Sequence, residues 1–342
     1  MSERPLVSVI IPNHNYAKTL GECLAAVFDQ TYQPLEVIVV DDGSTDDSVA
    51  VAKRFPCRLE RTANGGVSAA RNLGARLGNG EILFFLDSDI QLRPDAVATA
   101  VALLESEPSA GMVCGVYDWV PFVDDGPVER YKVLHGHYWR VRCAGETRMA
   151  FLSLGAVRRP VFDQAGPLDE SLRYTEDVEY GARLSVTSRI VLSPYMVGRH
   201  DDDDRLSVLL RKQFTRSVPL VALFADRGPK RPQLGDTAYR PLGAAASALA
   251  VVGLPLALLS PWYLLSLPAG LAAFAAVERG LLGFVLAKAG LRFTPRFFAL
   301  HLLMNLTTVT AAGLGALKWM TSRRFRHLYR QIDAVRRDTA DA

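Results

Sequence analysis

The chain has 342 residues, 49% hydrophobic and 22% charged, with 39 Lys and Arg against 36 Asp and Glu. That balance excludes a disordered polymer, and a net charge of +3 without a long basic stripe before the C-terminal tail excludes a nucleic-acid reader. The four cysteines, Cys23, Cys57, Cys114 and Cys143, lie far apart without a CxxC pair, which argues against zinc or a disulfide framework and for a reducing, cytosolic setting. The N-terminus leads into a short apolar segment lacking the length and flanks of a secretory signal, so the first domain is expected in the cytoplasm.

Taken in chain order, short β-branched runs at residues 6–11, 35–40, 57–61, 81–86 and 112–117 predict strands. Helical spacing fills the gaps at 16–28, 46–55, 66–77 and 94–105, with Pro94 suited to a first turn. Such alternation predicts an α/β domain with a mostly parallel sheet covered on both faces, whose ligands bind beyond the carboxyl ends of the strands.

Polar clusters stand at those ends: Pro12-Asn13-His14-Asn15, Asp41-Asp42-Gly43-Ser44 and Asp87-Ser88-Asp89. No GxGxxG or GxxxxGK[ST] follows a strand, so a bound phosphate needs another counter-charge. Asp87 and Asp89, leaving the wholly apolar run 82–86, suit a shared divalent cation, although an acidic turn has the same spelling. Asp41-Asp42-Gly43-Ser44 reads either as an Asx turn with Gly43 at positive φ or as a carboxylate accepting from a nucleobase N–H.

The runs Val7 to Asn15, Val39 to Asp46, Asn64 to Gly74 and Phe84 to Asp89 resemble, in order and spacing, the family 2 glycosyltransferases. The resemblance continues through Phe162 to Glu170 and Thr175 to Glu179 and covers roughly residues 5 to 200. It implies a GT-A nucleotide-diphospho-sugar transferase fold, with a Rossmann-like, mostly parallel sheet, carrying out inverting transfer of a sugar. Pro12, Asn15, Asp42, Arg71, Asp87 and Glu176 would then bind substrate, Asp42 at the base, Arg71 at the diphosphate and Glu176 in the Glu-Asp pair of the acceptor-side segment. Asp87 and Asp89 would hold Mn²⁺ or Mg²⁺, and Asp177 would be the catalytic base, removing the acceptor proton. His200 is a further ligand for the metal or the diphosphate, or else a solvated loop histidine. For Glu176-Asp177 a helix N-terminal acidic pair is the plain alternative. Gln213 and Arg216 match the acceptor sequence of processive members, but Ser217 stands where those have Trp, which favours a single transfer over polymerisation.

The C-terminal third is different material. Residues 242–277 are 36 positions without Asp, Glu, Lys or Arg, and 297–317 add 21 more, where a membrane helix needs about 20. As one helix the longer run would measure about 54 Å, so two helices turning near Pro261 are expected, the second reaching to about residue 286. A third span would put Lys318, Arg323, Arg324, Arg326, Arg330, Arg336 and Arg337 outside, against the positive-inside tendency. Residues 297–317, carrying His301, Asn305, Thr307, Thr308 and Thr310, are therefore expected to be re-entrant or interfacial. The resulting division is a catalytic domain at 1–204, an amphipathic interfacial linker at 205–240, membrane helices at 241–317 and a basic cytoplasmic tail at 318–342. Expected partners are a UDP- or GDP-type sugar donor, a lipid-linked, glycan or small-molecule acceptor, and the cytoplasmic face of the inner membrane. Two other readings are weaker: a sugar-1-phosphate nucleotidyltransferase lacks its Gly-rich N-terminal signature here, and intact Asp87, Asp89 and Asp177 argue against a non-enzymatic, degenerate membrane scaffold. A transporter is disfavoured because adjacent Glu278 and Arg279 look like a boundary rather than an ion path.

Overall fold

The computed structural model describes residues 4–172, 176–227 and 241–326. It divides into two compact units, Met1–Val123 with Trp139–Asp201, and Asp124–Tyr138 with Asp202–Ala342. A segment before Trp139 belongs to the second unit, which the sequence does not announce. Thr175, part of the expected linker and most of the basic tail lie outside the described residues.

The first unit is built on β1 (Val7–Asn13), β2 (Leu35–Asp41), β3 (Arg58–Arg61), β4 (Ile82–Leu86), β5 (Ile90–Leu92) and β6 (Ala110–Tyr117). Between them lie α1 (Ala17–Phe28), α2 (Ser48–Ala52), α3 (Val67–Leu77) and α4 (Ala96–Ser106). Then come α5 (Pro127–Arg142), which crosses the division between the units, β7 (Gly145–Thr147), β8 (Leu154–Arg158), α6 (Arg159–Ala165), α7 (Glu176–Leu184) and β9 (Arg189–His200). The strand order is β3-β2-β1-β4-β8-β6-β9-β5, with β7 added to β9.

Around β1 the sheet is parallel as expected: β1 pairs with β2 and β4, and β2 with β3. Beyond β4 it is mixed, because β8 lies antiparallel between β4 and β6 while β5 and β7 run antiparallel to β9. Period-two alternation sorts the core. Val9, Ile11, Phe84 and Leu86 face Leu20, Leu24 and Val27 of α1, whereas Leu83 and Phe85 face Phe162 and Tyr180 on the other side. The chain order 3-2-1-4 reverses direction at β1, which opens a crevice beyond its carboxyl end.

The second unit contains α8 (Leu206–Arg227), α9 (Pro241–Leu256), a 3-10 turn at Pro261–Leu265, α10 (Ser266–Val277), α11 (Arg279–Ala289), α12 (Thr294–Thr321) and α13 (Arg323–Arg326). The expected turn near Pro261 is present. The expected second helix is not continuous, since Pro261–Val277 and Arg279–Ala289 meet at a 73° bend. Among the described residues α12, 28 residues long, is the one unbroken helix long and apolar enough to cross a membrane. Its threonines do not interrupt it because Thr307, Thr308 and Thr310 donate to the carbonyls of Leu303, Met304 and Leu306 at 2.8, 2.9 and 3.1 Å. Their polarity is satisfied within the helix, which runs unbroken through the residues expected to be re-entrant or interfacial.

Candidate active site

The loops after β1 and β2 are laced together. Asn13 Nδ2 donates to Asp41 Oδ1 and to Ser44 Oγ, both at 3.1 Å, and His14 Nδ1 donates to the Asp42 carbonyl at 2.8 Å. Asn15, at φ 59, accepts from the backbone N–H of Thr45 at 2.8 Å. Pro12 is buried in β1 opposite Val40, so it shapes the strand end beneath them.

Asp42 anchors the next loop. Its Oδ1 accepts from Thr62 Oγ1 at 2.6 Å and the Gly65 N–H at 2.7 Å, and its Oδ2 accepts from the Gly66 N–H at 2.6 Å. The backbone requires glycine here: Gly43 lies at φ 78, where a Cβ would also stand 3.2 Å from the Asn64 nitrogen, and Gly66 lies at φ 98. The positive φ that the Asx-turn reading gives Gly43 is therefore observed. Three intramolecular donors on one carboxylate make Asp42 an organiser of the loop that leads into α3 as well as a wall of the crevice.

The loop delivers Arg71 and Asn72 on the first turns of α3, and each closes a long-range contact. Arg71 donates to Asp87 Oδ1 at 2.8 Å and to Glu176 Oε1 at 3.1 Å, with only 4% of its side chain exposed. Burial alone would lower its pKa, but Asp87 and Glu176 outweigh that and raise it, so the guanidinium stays charged. Its buried Nε–H has no acceptor among the described protein groups. Asn72 donates to the Leu168 carbonyl and to Glu170, both at 2.9 Å, and accepts from the Leu168 N–H at 2.9 Å. The 162–170 segment is thereby docked onto α3.

Asp177 follows Glu176 at the start of α7. Its Oδ1 accepts from the Val178 N–H at 2.9 Å, and its carbonyl accepts from Ala150 at 3.3 Å. Desolvation, then the neighbouring Glu176 charge, push its carboxyl above the ordinary range, and Arg71 offsets this only partly. A carboxylate so raised is a stronger base than a free one.

Asp89 and His200 come together through strand pairing, since β5 sets Ile90 opposite His200. Asp89 Oδ2 lies 3.7 Å from His200 Nε2. The His200 ring stacks on Tyr117 at 4.4 Å between centroids, and the Arg140 guanidinium lies 3.7 Å from the Tyr117 centroid. Tyr117 OH donates to Ser153 Oγ at 2.6 Å, while the Ser153 carbonyl accepts from the Asp87 N–H at 3.0 Å.

A cavity of about 220 Å³ brings the three strand ends together, lined by Pro12, Asn13, His14, Tyr16, Asp42, Val67, Ala70, Asp87, Ser88 and Asp89. Asp87 and Asp89 stand at one strand end, with His200 beside Asp89, and carboxylate oxygens are the donors that hard divalent cations take. Cys23 approaches Asp87 too, its Sγ 3.7 Å from the carbonyl oxygen, but burial and then Asp89 and Asp87 push its pKa upward. It remains a thiol and adds no soft ligand.

Of the residues singled out from sequence, Pro12, Asn15, Asp42, Arg71, Asp87, Asp89, Glu176, Asp177 and His200 all belong to the first unit, and Gln213 and Arg216 to the second. There Gln213 Nε2 donates to Thr308 Oγ1 at 2.9 Å, a bond between α8 and α12, and Arg216 is exposed on α8. Sequence reasoning missed His14, Tyr117, Arg140 and Ser153. His14 and Tyr117 stand at strand ends and were open to the same argument as their neighbours; Arg140 and Ser153 carry no local signal.

Residues 8–156 match the model of the glycosyl transferase family 2. The chain is 36% identical over 123 residues to the glycosyltransferase GlyG of Streptococcus pneumoniae, covering 34% of this chain and 40% of that protein. It is 30% identical over 183 residues to a glucosyl-dolichyl phosphate glucuronosyltransferase of Haloferax volcanii, covering 48% and 56%. The chain thus spans about half the length of the curated relatives it matches. The solved mannosyltransferase PcManGT of Pyrobaculum calidifontis, in complex with GDP-Man and Mn²⁺, superposes with a TM-score of 0.55 at 23% identity, covering 94% of this chain and 89% of that one. The fold is GT-A.

Proposed function

Because residues 8–156 form a family 2 glycosyltransferase domain, we propose that the protein moves one sugar from a nucleotide-diphospho-sugar to an acceptor hydroxyl or phosphate, with inversion, at the cytoplasmic face of a membrane. The observation that carries this reading is the Arg71 bridge. One buried cation ties Asp87, at the end of β4, to Glu176, whose neighbour Asp177 has the raised carboxyl. Donor-side and acceptor-side acids are thereby held in one network.

In this reading Asp42 and its glycine loop receive the base, and the buried Arg71 Nε–H is the donor left to a ligand of the diphosphate region. Asp87, Asp89 and His200 would hold a divalent cation, which when bound offsets the charge that develops on the leaving diphosphate. Asp177 takes the acceptor proton as the acceptor oxygen attacks the anomeric carbon, and a single displacement inverts that centre. The similarity to a glucosyl-dolichyl phosphate glucuronosyltransferase and the apolar C-terminal helices together favour a membrane-borne acceptor and an inner-membrane location.

Asp177→Asn tests the assignment. Turnover should fall roughly 10²- to 10⁴-fold while donor-induced thermal stabilisation persists. Near-native turnover, or an α-linked product from an α-linked donor, overturns it.

A further inference from the structure

The charges of the second unit bear on how it meets a membrane, and the inference below rests on the membrane location just proposed. Gln213 of α8 bonds to Thr308 of α12, and a Cβ at Gly315 would stand 2.6 Å from the Val218 carbonyl oxygen and 2.7 Å from a Val221 methyl. The two helices therefore run side by side in the same direction, residue 213 level with 308 and residues 218–221 level with 315. On that register the exposed Arg211, Lys212 and Arg216 stand beside the middle of Thr294–Thr321 rather than beside either end.

The other neighbour of α12 agrees. A Cβ at Gly243, near the start of α9, would stand 2.7 Å from Glu278 Oε1 and 3.5 Å from Asn305 Oδ1, and Glu278 Oε2 lies 3.8 Å from His301 Nε2. The open end of the α9–α10 hairpin, with Glu278 and Arg279, is thus level with residues 301–305 of α12. Were α12 to cross a bilayer, three exposed cations would sit near the depth of the hydrocarbon centre and the charged base of a hairpin within the hydrocarbon, where such groups are costly.

The far end of that hairpin is the reverse. Leu258 is 91% exposed, Leu259 79% and Trp262 76%, within the uncharged run 242–277. Most of the irregular backbone there is nonetheless hydrogen-bonded. Ala257 donates to Gly253, Leu258 to Pro255, Leu259 and Ser260 to Leu256, and Tyr263 to Ser260. Internally satisfied donors under exposed apolar side chains are what a hydrocarbon phase demands. At about 1.5 Å per residue, α9 rises only about 24 Å, short of the ~30 Å hydrocarbon core.

We propose that the second unit is monotopic. The α9–α10 hairpin enters one leaflet tip first, α12 lies along the interface, and Arg211, Lys212 and Arg216 of α8 meet the headgroups of an anionic bilayer. Both ends of the chain then stay on one side.

The full-length protein in sealed vesicles of phosphatidylethanolamine and phosphatidylglycerol, carrying a protease-cleavable tag at each end, tests this. Both tags should be cut from the same side; cleavage from opposite sides means that α12 spans, and the proposal fails. Lipids brominated deep in the acyl chain should quench Trp262, so Trp262→Phe should remove most of the quenched emission; unchanged quenching places the tip outside the leaflet and also overturns the proposal. Reversing Arg211, Lys212 and Arg216 to Glu should weaken binding to phosphatidylglycerol vesicles by tenfold or more and leave phosphatidylcholine binding alone. Wild-type protein that binds no vesicle sinks the membrane location itself, while the transferase reading is judged separately by donor hydrolysis in solution.

Discussion

Replacing Arg71 by Met removes the single cation between two acids. Arg71 is 4% exposed, Glu176 16% and Asp87 30% at the side chain, with bonds of 2.8 Å to Asp87 and 3.1 Å to Glu176. Breaking a buried pair from one side costs about 3–5 kcal/mol, because the remaining charge has no partner. Water reaching Asp87 reduces that, and about 2–4 kcal/mol is expected here. Glu176→Gln leaves the Arg71–Asp87 bond intact and should cost less, about 1–2 kcal/mol. The two changes share one network, so the double variant should be more stable than the sum of the single costs predicts, by at least ~0.5 kcal/mol. Arg71→Lys should recover part of the loss only, since one ammonium on a flexible stem does not reproduce a fork that reaches both acids. Urea unfolding of the full-length protein in detergent, followed on the transition of the first unit, measures all four. A stability for Arg71→Met within about 0.5 kcal/mol of wild type, or additive single costs, refutes the bridge as the element that joins the two sides of the site.

Activity should rise with pH as Asp177 ionises, because only the carboxylate accepts a proton, and burial with the Glu176 charge sets that limb above the ordinary carboxylate range. Glu176→Gln removes the like charge and should move the limb of kcat/KM to lower pH; a limb indifferent to both Glu176→Gln and Asp177→Asn sinks the base assignment. Asn72→Ala loses three bonds to the Leu168–Glu170 stretch and should cost about 1–3 kcal/mol. Faster proteolysis within residues 162–170 is the accompanying signature, and an unchanged digestion pattern counts against the docking. Gly74→Ala drives a methyl into Ile10 of β1 and should destabilise by about 1–3 kcal/mol, read as a lower melting temperature. Asp89→Ala should abolish the rise in melting temperature that Mn²⁺ gives together with a nucleotide sugar, and retention of that rise excludes Asp89 as a ligand.

The parallel half of the sheet was legible because β1, β2 and β4 are buried on both faces and therefore read as unbroken apolar runs, each ending in a polar cluster. The same rule located Asp42, Asp87 and Asp89. It failed for β8, five residues containing Gly155 and Ala156, and for β9, where Ser193 and Pro194 break the pattern beside an irregular pairing with β6. α5 gives no apolar stripe to find, its sequence mixing Tyr131, His135, His137, Trp139 and Arg140 around the helix. Within the amphipathic segment expected at 205–240, α8 is helical from Leu206 to Arg227, and Pro219 lies inside it.

What sequence could not reach is chiefly the consequence of β9. Its pairing with β6 sets Tyr117 opposite Gly198, and its pairing with β5 sets Ile90 opposite His200. One strand, distant in sequence from both partners, thereby brings His200 against the Tyr117 ring and within 3.7 Å of Asp89. A histidine beside four aspartates, Asp201 to Asp204, has no local property that separates a ligand from a loop residue. The register decides its place, since a one-residue slip of β9 would turn the His200 side chain to the other face of the sheet, away from Asp89. The Asp89–His200 side of the candidate site is therefore a property of strand pairing, whereas Asp42, Asp87 and Arg71 owe their places to strand ends and one helix start that stand next to them in the chain.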